Sequence, residues 1–386
     1  MIVGVPREVK NSEYRVGLIP AGVRALDKQG HEVFIEAGAG VSSGFADDDY
    51  RAAGAGIVRS ADQLWAKADM VVKVKEPQPE EYHHLKKGQV LFCYLHLAPV
   101  PGLTRALIAS GVNAVAFETI QTDDGLLPCL MPMSEVAGRM SVQVGAQYLM
   151  RDQGGPGILL SGVPGVPACE VLVLGGGTAG TNAARLAAGM GARVRVMDVS
   201  LSRLAYLDDI FSGRITTVIS DEYNIERFVP ETDLLIGAVL VPGALAPVLV
   251  SEDLVKKMRP GSVIVDISVD QGGCIATTRP TTHENPTYKK HGVTHYCVAN
   301  MPGAVPRTST QALANAVFPY VLKIADDGLA KAARKDPALA RGINVFLPQG
   351  KDRGVVTNAE VAKSVGLKCA PLAKLLAGKR SGEKKR

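Results

Sequence analysis

The stretch from Val171 to Asp198, "VLVLGGGTAGTNAARLAAGMGARVRVMD", reads as strand, glycine turn, helix, strand and acid. Gly175, Gly177 and Gly180 form GxGxxG directly after an apolar run, and Ala183, Ala184, Ala187 and Ala188 follow on the helix. In that setting Gly175 permits the tight turn and Gly177 lets a pyrophosphate approach the backbone. Gly180 and the alanines let the helix pack close to the sheet. The helix N-terminus then offers its N–H groups and the positive end of its dipole to the phosphates. Asp198 closes the next strand 18 residues after Gly180, close to the ~20 expected of the acid that takes the adenosine ribose hydroxyls. A ligand-free glycine turn is the alternative, and the complete unit with its acid argues against it. The reading is a dinucleotide site, with Asp198 as the mark of NAD.

Outward from this unit, strand-like runs recur in two series. The second series continues from Val171 with "RVRVMD", "ITTVIS", "TDLLIGAVL", "SVIVDISVD" and "HYCVANMPG", which suits a doubly wound sheet. The first series comprises "IVGVP", "EVFIE", "MVVKVK", "VLFCYLH" and "NAVAFE", separated by helix-like segments such as "AGVRALDKQG", "SADQLWAKA" and "PVPGLTRALIASG". That alternation predicts a second parallel α/β sheet. A long helical pattern, Glu135 to Asp152, links the two series, and another, "STQALANAVFPYVLKIADDG", follows Thr308. The remainder, "GINVFLPQGKDRGVVTNAEVAKSVG", is too short for a third domain and is expected to pack on the first. The fold class is therefore α/β: two Rossmann-like doubly wound domains with the active site in the cleft between them. Residues 1–128 with 307–386 would form a discontinuous catalytic domain, and 129–306 the NAD-binding domain.

Bulk composition fits. The chain has 386 residues, 46% hydrophobic and 21% charged, which is ordinary for globular domains. No apolar run approaches the ~18 residues of a membrane helix, and the N-terminus lacks the features of a signal peptide. A cytoplasmic protein with no membrane partner is expected. The net charge of +5 sits mostly in the tail "GKRSGEKKR", residues 378–386, which contributes +4. A basic face for nucleic acid is thus not indicated, and the tail reads as a disordered end. The six cysteines, at 93, 129, 169, 274, 297 and 369, show no metal-ligand spacing, and no metal is expected.

Chemistry in open sheets belongs beyond the carboxyl ends of the strands. In the second series those ends carry Ser220, Val239 and Leu240, Ile267 to Asp270, and Val298 to Met301. Asp270 reads as the only acid at the last two ends; its alternative is a turn aspartate before "QGG". In the first series the ends carry Arg7 and Glu8, Lys75, Tyr94 and His96, with Arg15 in the loop after the first strand. Arg15 and Lys75 could hold a substrate carboxylate. Against that stand a surface ion pair of Arg15 with Glu13 or Asp49, and an exposed strand end for Lys75 beside Glu76. Among the histidines, His83 and His84 lie in "PEEYHHLKKG", a charged helix face, His31 and His295 start strands, and His283 and His291 sit in polar loops. Only His96 emerges from the end of an apolar strand, where it suits a proton shuttle or, alternatively, a satisfied core histidine.

"REVKNSEYRVGLIP" at residues 7–20 and "LLSGVPGVPACEVLVLGGGTAGTNAARLAAGMGARVRVMD" at 159–198 resemble the signature regions of alanine dehydrogenases. That family shares its fold with the NAD-binding subunit of nicotinamide nucleotide transhydrogenase. The resemblance covers residues 1 to about 367. It implies that Arg15 and Lys75 bind the carboxylate of pyruvate or L-alanine, that His96 is the catalytic acid and base, and that Asp270 is a second catalytic residue near the nicotinamide. It implies further that Ser134, Thr178, Ala179, Asp198, Arg203, Ser220, Val239, Leu240, Ile267, Arg279, Val298 and Met301 line the NAD site with the glycines, and that the protein is a homohexamer. Thr178 and Ala179 stand where the family more usually has an aliphatic pair, a departure that touches only pyrophosphate packing.

The expected activity is reversible oxidative deamination of L-alanine to pyruvate and ammonium with hydride transfer to NAD. The alternatives are a transhydrogenase subunit, a dehydrogenase for another small amino or hydroxy acid, and a catalytically silent NAD-binding protein.

Overall fold

The structure, a computed structural model, describes residues 1–240 and 245–377; the basic tail read as a disordered end lies outside the described residues. Two compact units are present, one of Met1–Pro132 with Val305–Arg386 and one of Met133–Ala304. The first unit opens with β1 (Ile2–Val5), β2 (Glu32–Glu36), β3 (Gly56–Val58), β4 (Met70–Val72), β5 (Val90–Cys93) and β6 (Asn113–Ala116). The second contains β7 (Glu170–Leu174), β8 (Arg193–Asp198), β9 (Thr216–Ile219), β10 (Leu234–Gly237), β11 (Val263–Asp266), β12 (Thr287–Lys290) and β13 (Val293–Tyr296). The chain then returns to the first unit for β14 (Ile343–Phe346) and β15 (Val355–Val356).

The second unit's sheet has the order β12-β13-β11-β10-β7-β8-β9. From β7 the chain runs outward through β8 and β9, then crosses back so that β10 pairs with the other side of β7. Strand order therefore reverses between β7 and β10, and the glycine turn after Leu174 opens at this switch point. The first unit repeats the plan in the order β15-β14-β6-β5-β4-β1-β2-β3. Here the reversal falls between β1 and β4, which pair in parallel on either side of it. Arg15 follows β1 and Lys75 follows β4, so both cations come from segments that leave a switch point.

Central strands such as β5 and β11 are buried along their whole length, as parallel strands covered on both faces must be. This is why they read as unbroken apolar runs. Several runs stop earlier than their apolar stretch. Strand β4 ends at Val72, β5 at Cys93 and β11 at Asp266, so Lys75, His96 and Asp270 stand on the loops beyond. The linking helix is Met131–Tyr148 and the later one is Pro306–Asp327. The C-terminal segment does join the first sheet, β14 pairing antiparallel with β6 and β15 with β14. Strand β12 adds a second antiparallel edge, on β13.

Candidate active site

In the first unit Arg15 is 2% exposed and carries a bidentate pair with Glu13: Nε donates to Oε1 at 2.6 Å and an Nη donates to Oε2 at 2.5 Å. The pair with Glu13, weighed above as a surface alternative, therefore exists as a buried bidentate one. Burial works against charge on Glu13, and the hydrogen bonds and charge of Arg15 outweigh it, leaving the carboxyl below its ordinary range. Lys75 is half-buried and not an exposed strand end; Glu76 bonds Lys10. Its backbone is fixed by Glu8, whose carboxylate accepts the N–H groups of Val74 at 2.6 Å and Lys75 at 3.3 Å. Burial and then the nearby Arg15 charge push the Lys75 ammonium below its usual pKa. Glu13 offsets part of this positive charge, and a carboxylate arriving beside Lys75 would offset more of it.

His96 is linked to this pair through Tyr94. Its side chain is 48% exposed, so the core-histidine alternative does not hold. The residue adopts a φ of +44°, uncommon outside glycine and found where a site dictates backbone shape. Glu118 fixes that shape by accepting the N–H of His96 at 2.7 Å and of Leu95 at 3.2 Å. The His96 ring stacks on Tyr94, with centroids 5.8 Å apart and planes 7° from parallel. Tyr94 is buried, donates its hydroxyl hydrogen to the Cys129 carbonyl at 2.6 Å, and feels the charge of Arg15. Sequence reading did not single out Glu118; the only signal was an acid closing the apolar run "NAVAFE".

In the second unit the glycines do what their spacing requires. Gly175 has a φ of +96°, and a Cβ there would meet the Ala238 carbonyl oxygen at 2.6 Å. A Cβ on Gly180 would lie 1.8 Å from the Gly175 oxygen. A Cβ on Gly177 would meet nothing within 4 Å; it would instead fill the space over the turn. That helix, Thr178–Gly189, has no side-chain cap at Gly177, so its first N–H groups are available to an anion. The residues present fit a pyrophosphate. Asp198 ends β8, with Oδ2 accepting the Gly176 N–H at 2.7 Å and Oδ1 the Ser200 N–H at 2.9 Å. Arg203 donates from Nε to the Gly176 oxygen at 2.5 Å and from an Nη to Thr181 Oγ1 at 2.7 Å.

The other expected NAD residues fall around the same strand ends. Gly138 on the linking helix packs so closely that a Cβ would lie 2.1 Å from the Ala179 oxygen. Ser134 stands one turn earlier on the same face of that helix. Thr178 and Ala179 open the helix, and Ser220 donates its N–H to the Asp198 carbonyl. Val239 and Leu240 follow β10, Ile267 follows β11, and Val298 and Met301 follow β13, both buried. Arg279 is exposed and lies over the Tyr288 ring at 4.4 Å.

Asp270 is exposed in the 3-10 turn Ile267–Gln271 after β11. Sequence reading takes it for the only acid at that strand end; the structure corrects this, because Asp266 is the last residue of β11. Asp266 is fully buried and accepts the N–H of Ser268 at 2.9 Å, the N–H of Cys274 at 3.0 Å and the Thr278 hydroxyl at 2.8 Å. Its carboxylate is consumed in building the turn that presents Asp270.

The family model for the alanine dehydrogenase/PNT N-terminal domain matches residues 4–137, and that for the C-terminal domain matches residues 141–351. The chain belongs to the alanine dehydrogenase/PNT family. Alanine dehydrogenase of Methanococcus maripaludis is 54% identical over 377 residues, covering 97% of this chain and 100% of the relative. That of Mycolicibacterium smegmatis is 54% identical, covering 98% and 100%. A solved L-alanine dehydrogenase structure superposes with a TM-score of 0.90 at 52% identity, covering 95% of this chain and 99% of that one. A transhydrogenase structure from Sinorhizobium meliloti, at a TM-score of 0.79 and 22% identity over 92% of this chain, shares the fold. The alanine dehydrogenase/PNT C-terminal match runs on to residue 351, whereas the structure assigns everything from Val305 to the first unit. The C-terminal match of this chain therefore draws residues from both units.

Proposed function

We infer that the chain is an NAD-dependent L-alanine dehydrogenase that interconverts L-alanine and pyruvate with ammonium. The observation that carries the reading is the group of Arg15, Lys75, Tyr94 and His96 in the first unit, in a chain 54% identical to alanine dehydrogenases along its length. Arg15 and Lys75 bind the substrate carboxylate, which places the substrate Cα and its nitrogen or oxygen before His96. NAD, when bound, supplies the hydride acceptor for Cα. Gly175, Gly177, Gly180, Thr178 and Ala179 would cradle its pyrophosphate, Asp198 its adenosine ribose, and Ser134, Arg203, Ser220, Val239, Leu240, Ile267, Arg279, Val298 and Met301 the rest.

Proton traffic falls to the protein. His96 takes a proton from the water that adds to the iminium carbon, and returns it to the departing nitrogen, giving pyruvate and ammonium. Asp270 assists that water. In the amination direction the same residues act in reverse.

The proposal includes a homohexamer working in the cytoplasm. It rests on the family resemblance; no described helix is long and apolar enough to cross a membrane. Light scattering on the purified protein tests the assembly. The activity is tested by following NADH with pyruvate, with and without ammonium. Consumption that requires both supports the reading; consumption with pyruvate alone would indicate a hydroxy-acid dehydrogenase, and none without a partner protein a transhydrogenase subunit.

A further inference from the structure

Among the described residues, one group of three His, Cys or acidic side chains brings a ligand atom from each within 4.8 Å of the others: Asp62, His83 and His84. None belongs to the Arg15, Lys75 and His96 group. Asp62 stands in the first turn of helix Ala61–Lys67, and the histidines end the 3-10 turn Pro79–His84. Asp62 and His83 stand twenty-one positions apart, so no spacing motif marks the group and it forms only when the turn folds back on the helix.

We propose that Asp62, His83 and His84 form a binding site for a divalent transition-metal ion of the nickel, copper and zinc group. His84 Nδ1 lies 3.4 Å from Asp62 Oδ1, and His83 Nε2 lies 3.8 Å from the same oxygen. Ligands about 2.0–2.1 Å from a tetrahedral ion stand roughly 3.3 Å apart, so only small side-chain rotations are needed to close the set. The exposures suit that movement. Asp62 and His83 are 79% and 66% exposed and can adjust, while His84 is 11% exposed and fixed by stacking on Trp65, with centroids 5.7 Å apart and planes at 16°.

A plain ion pair explains the group less well. The two imidazole centroids are 3.8 Å apart, too close for both rings to carry a proton comfortably. Two neutral imidazoles and one carboxylate are intermediate donors. They select transition metals over calcium or magnesium, which prefer all-oxygen sets. Three protein ligands leave further positions to water, as in an open site.

The ion would bridge the Pro79–His84 turn to the Ala61–Lys67 helix. The same turn carries Glu81, which accepts a hydrogen bond from Lys73 Nζ at 2.7 Å. Metal binding would therefore clamp the segment just beyond Lys75 and stabilise the first unit by mass action.

The chain's single tryptophan provides the readout, since Trp65 is the residue on which His84 stacks. Untagged full-length protein is titrated with Cu²⁺, and Trp65 fluorescence is followed, with Zn²⁺ as competitor. Saturable quenching at one ion per chain is expected, displaced by Zn²⁺ and by a chelator. In His83→Ala and Asp62→Asn the half-saturating concentration should rise about tenfold or more, whereas Cys369→Ser, at the exposed cysteine, should leave it unchanged. His83 and Asp62 are exposed, so these variants test ligation without disturbing the Trp65 stack; melting curves recorded without metal should match the parent. Quenching that neither variant weakens, or that follows Cys369, would overturn the site.

Discussion

Glu118 holds His96 by the backbone: its carboxylate accepts the His96 N–H at 2.7 Å, and the residue so held has a φ of +44°. A left-handed non-glycine residue costs of order 1 kcal/mol or more, and here three elements over-determine it. Strand β5 delivers the chain, Tyr94 stacks on the ring, and Glu118 terminates the segment. The placement of the His96 ring is thus a property of backbone shape.

The first prediction concerns the ring itself. His96→Ala should reduce turnover by the ~10² to 10⁴ typical of a general acid and base, while NADH binding, measured by fluorescence, stays within error of the parent. Turnover near the parental value would remove His96 from proton transfer.

Glu118 is a positioning residue on this reading, and its two variants should separate geometry from charge. Glu118→Ala leaves two N–H groups without their acceptor and should cut kcat, by up to the ~10² that a 1 Å misplacement can cause. Glu118→Gln retains an acceptor oxygen and should recover much of the loss. Equal kcat for both variants would show that Glu118 does not act through backbone geometry.

Arg15→Lys keeps a positive charge but loses the planar fork that Glu13 grips and a carboxylate matches. The Michaelis constant for pyruvate should rise and that for NADH should not. A change confined to the NADH constant would assign Arg15 to the other ligand.

The contrast between the two units explains what sequence could and could not reveal. GxGxxG followed by Asp198 is legible because a glycine at each position answers a separate steric demand, and Gly175 and Gly180 meet those demands at 2.6 Å and 1.8 Å. Arg15 and Lys75 carry no such signature. A cation after a strand reads the same whether it is solvated or buried, and only the β1/β4 reversal, which brings both segments to one switch point, separates the cases. Glu118 was illegible for a related reason: its role depends on how the chain bends after β5. Strands β3 and β12 were missed because "GIV" is too short for a period and "TYKK" is a polar edge. Asp266 was passed over because the apolar run was read through it to Asp270.

Stability of the second unit should depend on His295. Its side chain is fully buried, bonded through Nε2 to Thr277 Oγ1 at 2.8 Å, and burial lowers its pKa from 6.5 to about 4. The unfolded chain therefore binds the proton more readily than the folded one between these values. The stabilising contribution is complete above pH 6.5 and is lost as pH falls towards 4. Within that window the parent should lose up to about 1.4 kcal/mol per pH unit relative to His295→Asn, measured by urea unfolding at each pH. Parallel pH profiles for the two proteins would refute it.

Under the proposed function, cofactor choice should turn on Asp198 and Arg203. The Asp198 carboxylate is anchored by the N–H groups of Gly176 at 2.7 Å and Ser200 at 2.9 Å, which fixes a negative charge at the end of β8. Ribose hydroxyls can donate to it; a 2′-phosphate of nearly two negative charges would be repelled, and like-charge juxtaposition in a pocket costs several kcal/mol. Arg203, five residues on, is the cation that could offset this. Its guanidinium is instead engaged by the Gly176 carbonyl at 2.5 Å and the Thr181 hydroxyl at 2.7 Å, and it lies over the Tyr206 ring at 4.7 Å. Turning it to a phosphate would break all three contacts. The expected outcome is a strong preference for NADH over NADPH, with Asp198→Ala losing NAD affinity without gaining efficient use of NADP. Initial rates with each cofactor at saturating pyruvate and ammonium measure this, and comparable catalytic efficiency with NADPH and NADH in the unmodified protein would overturn the assignment of Asp198.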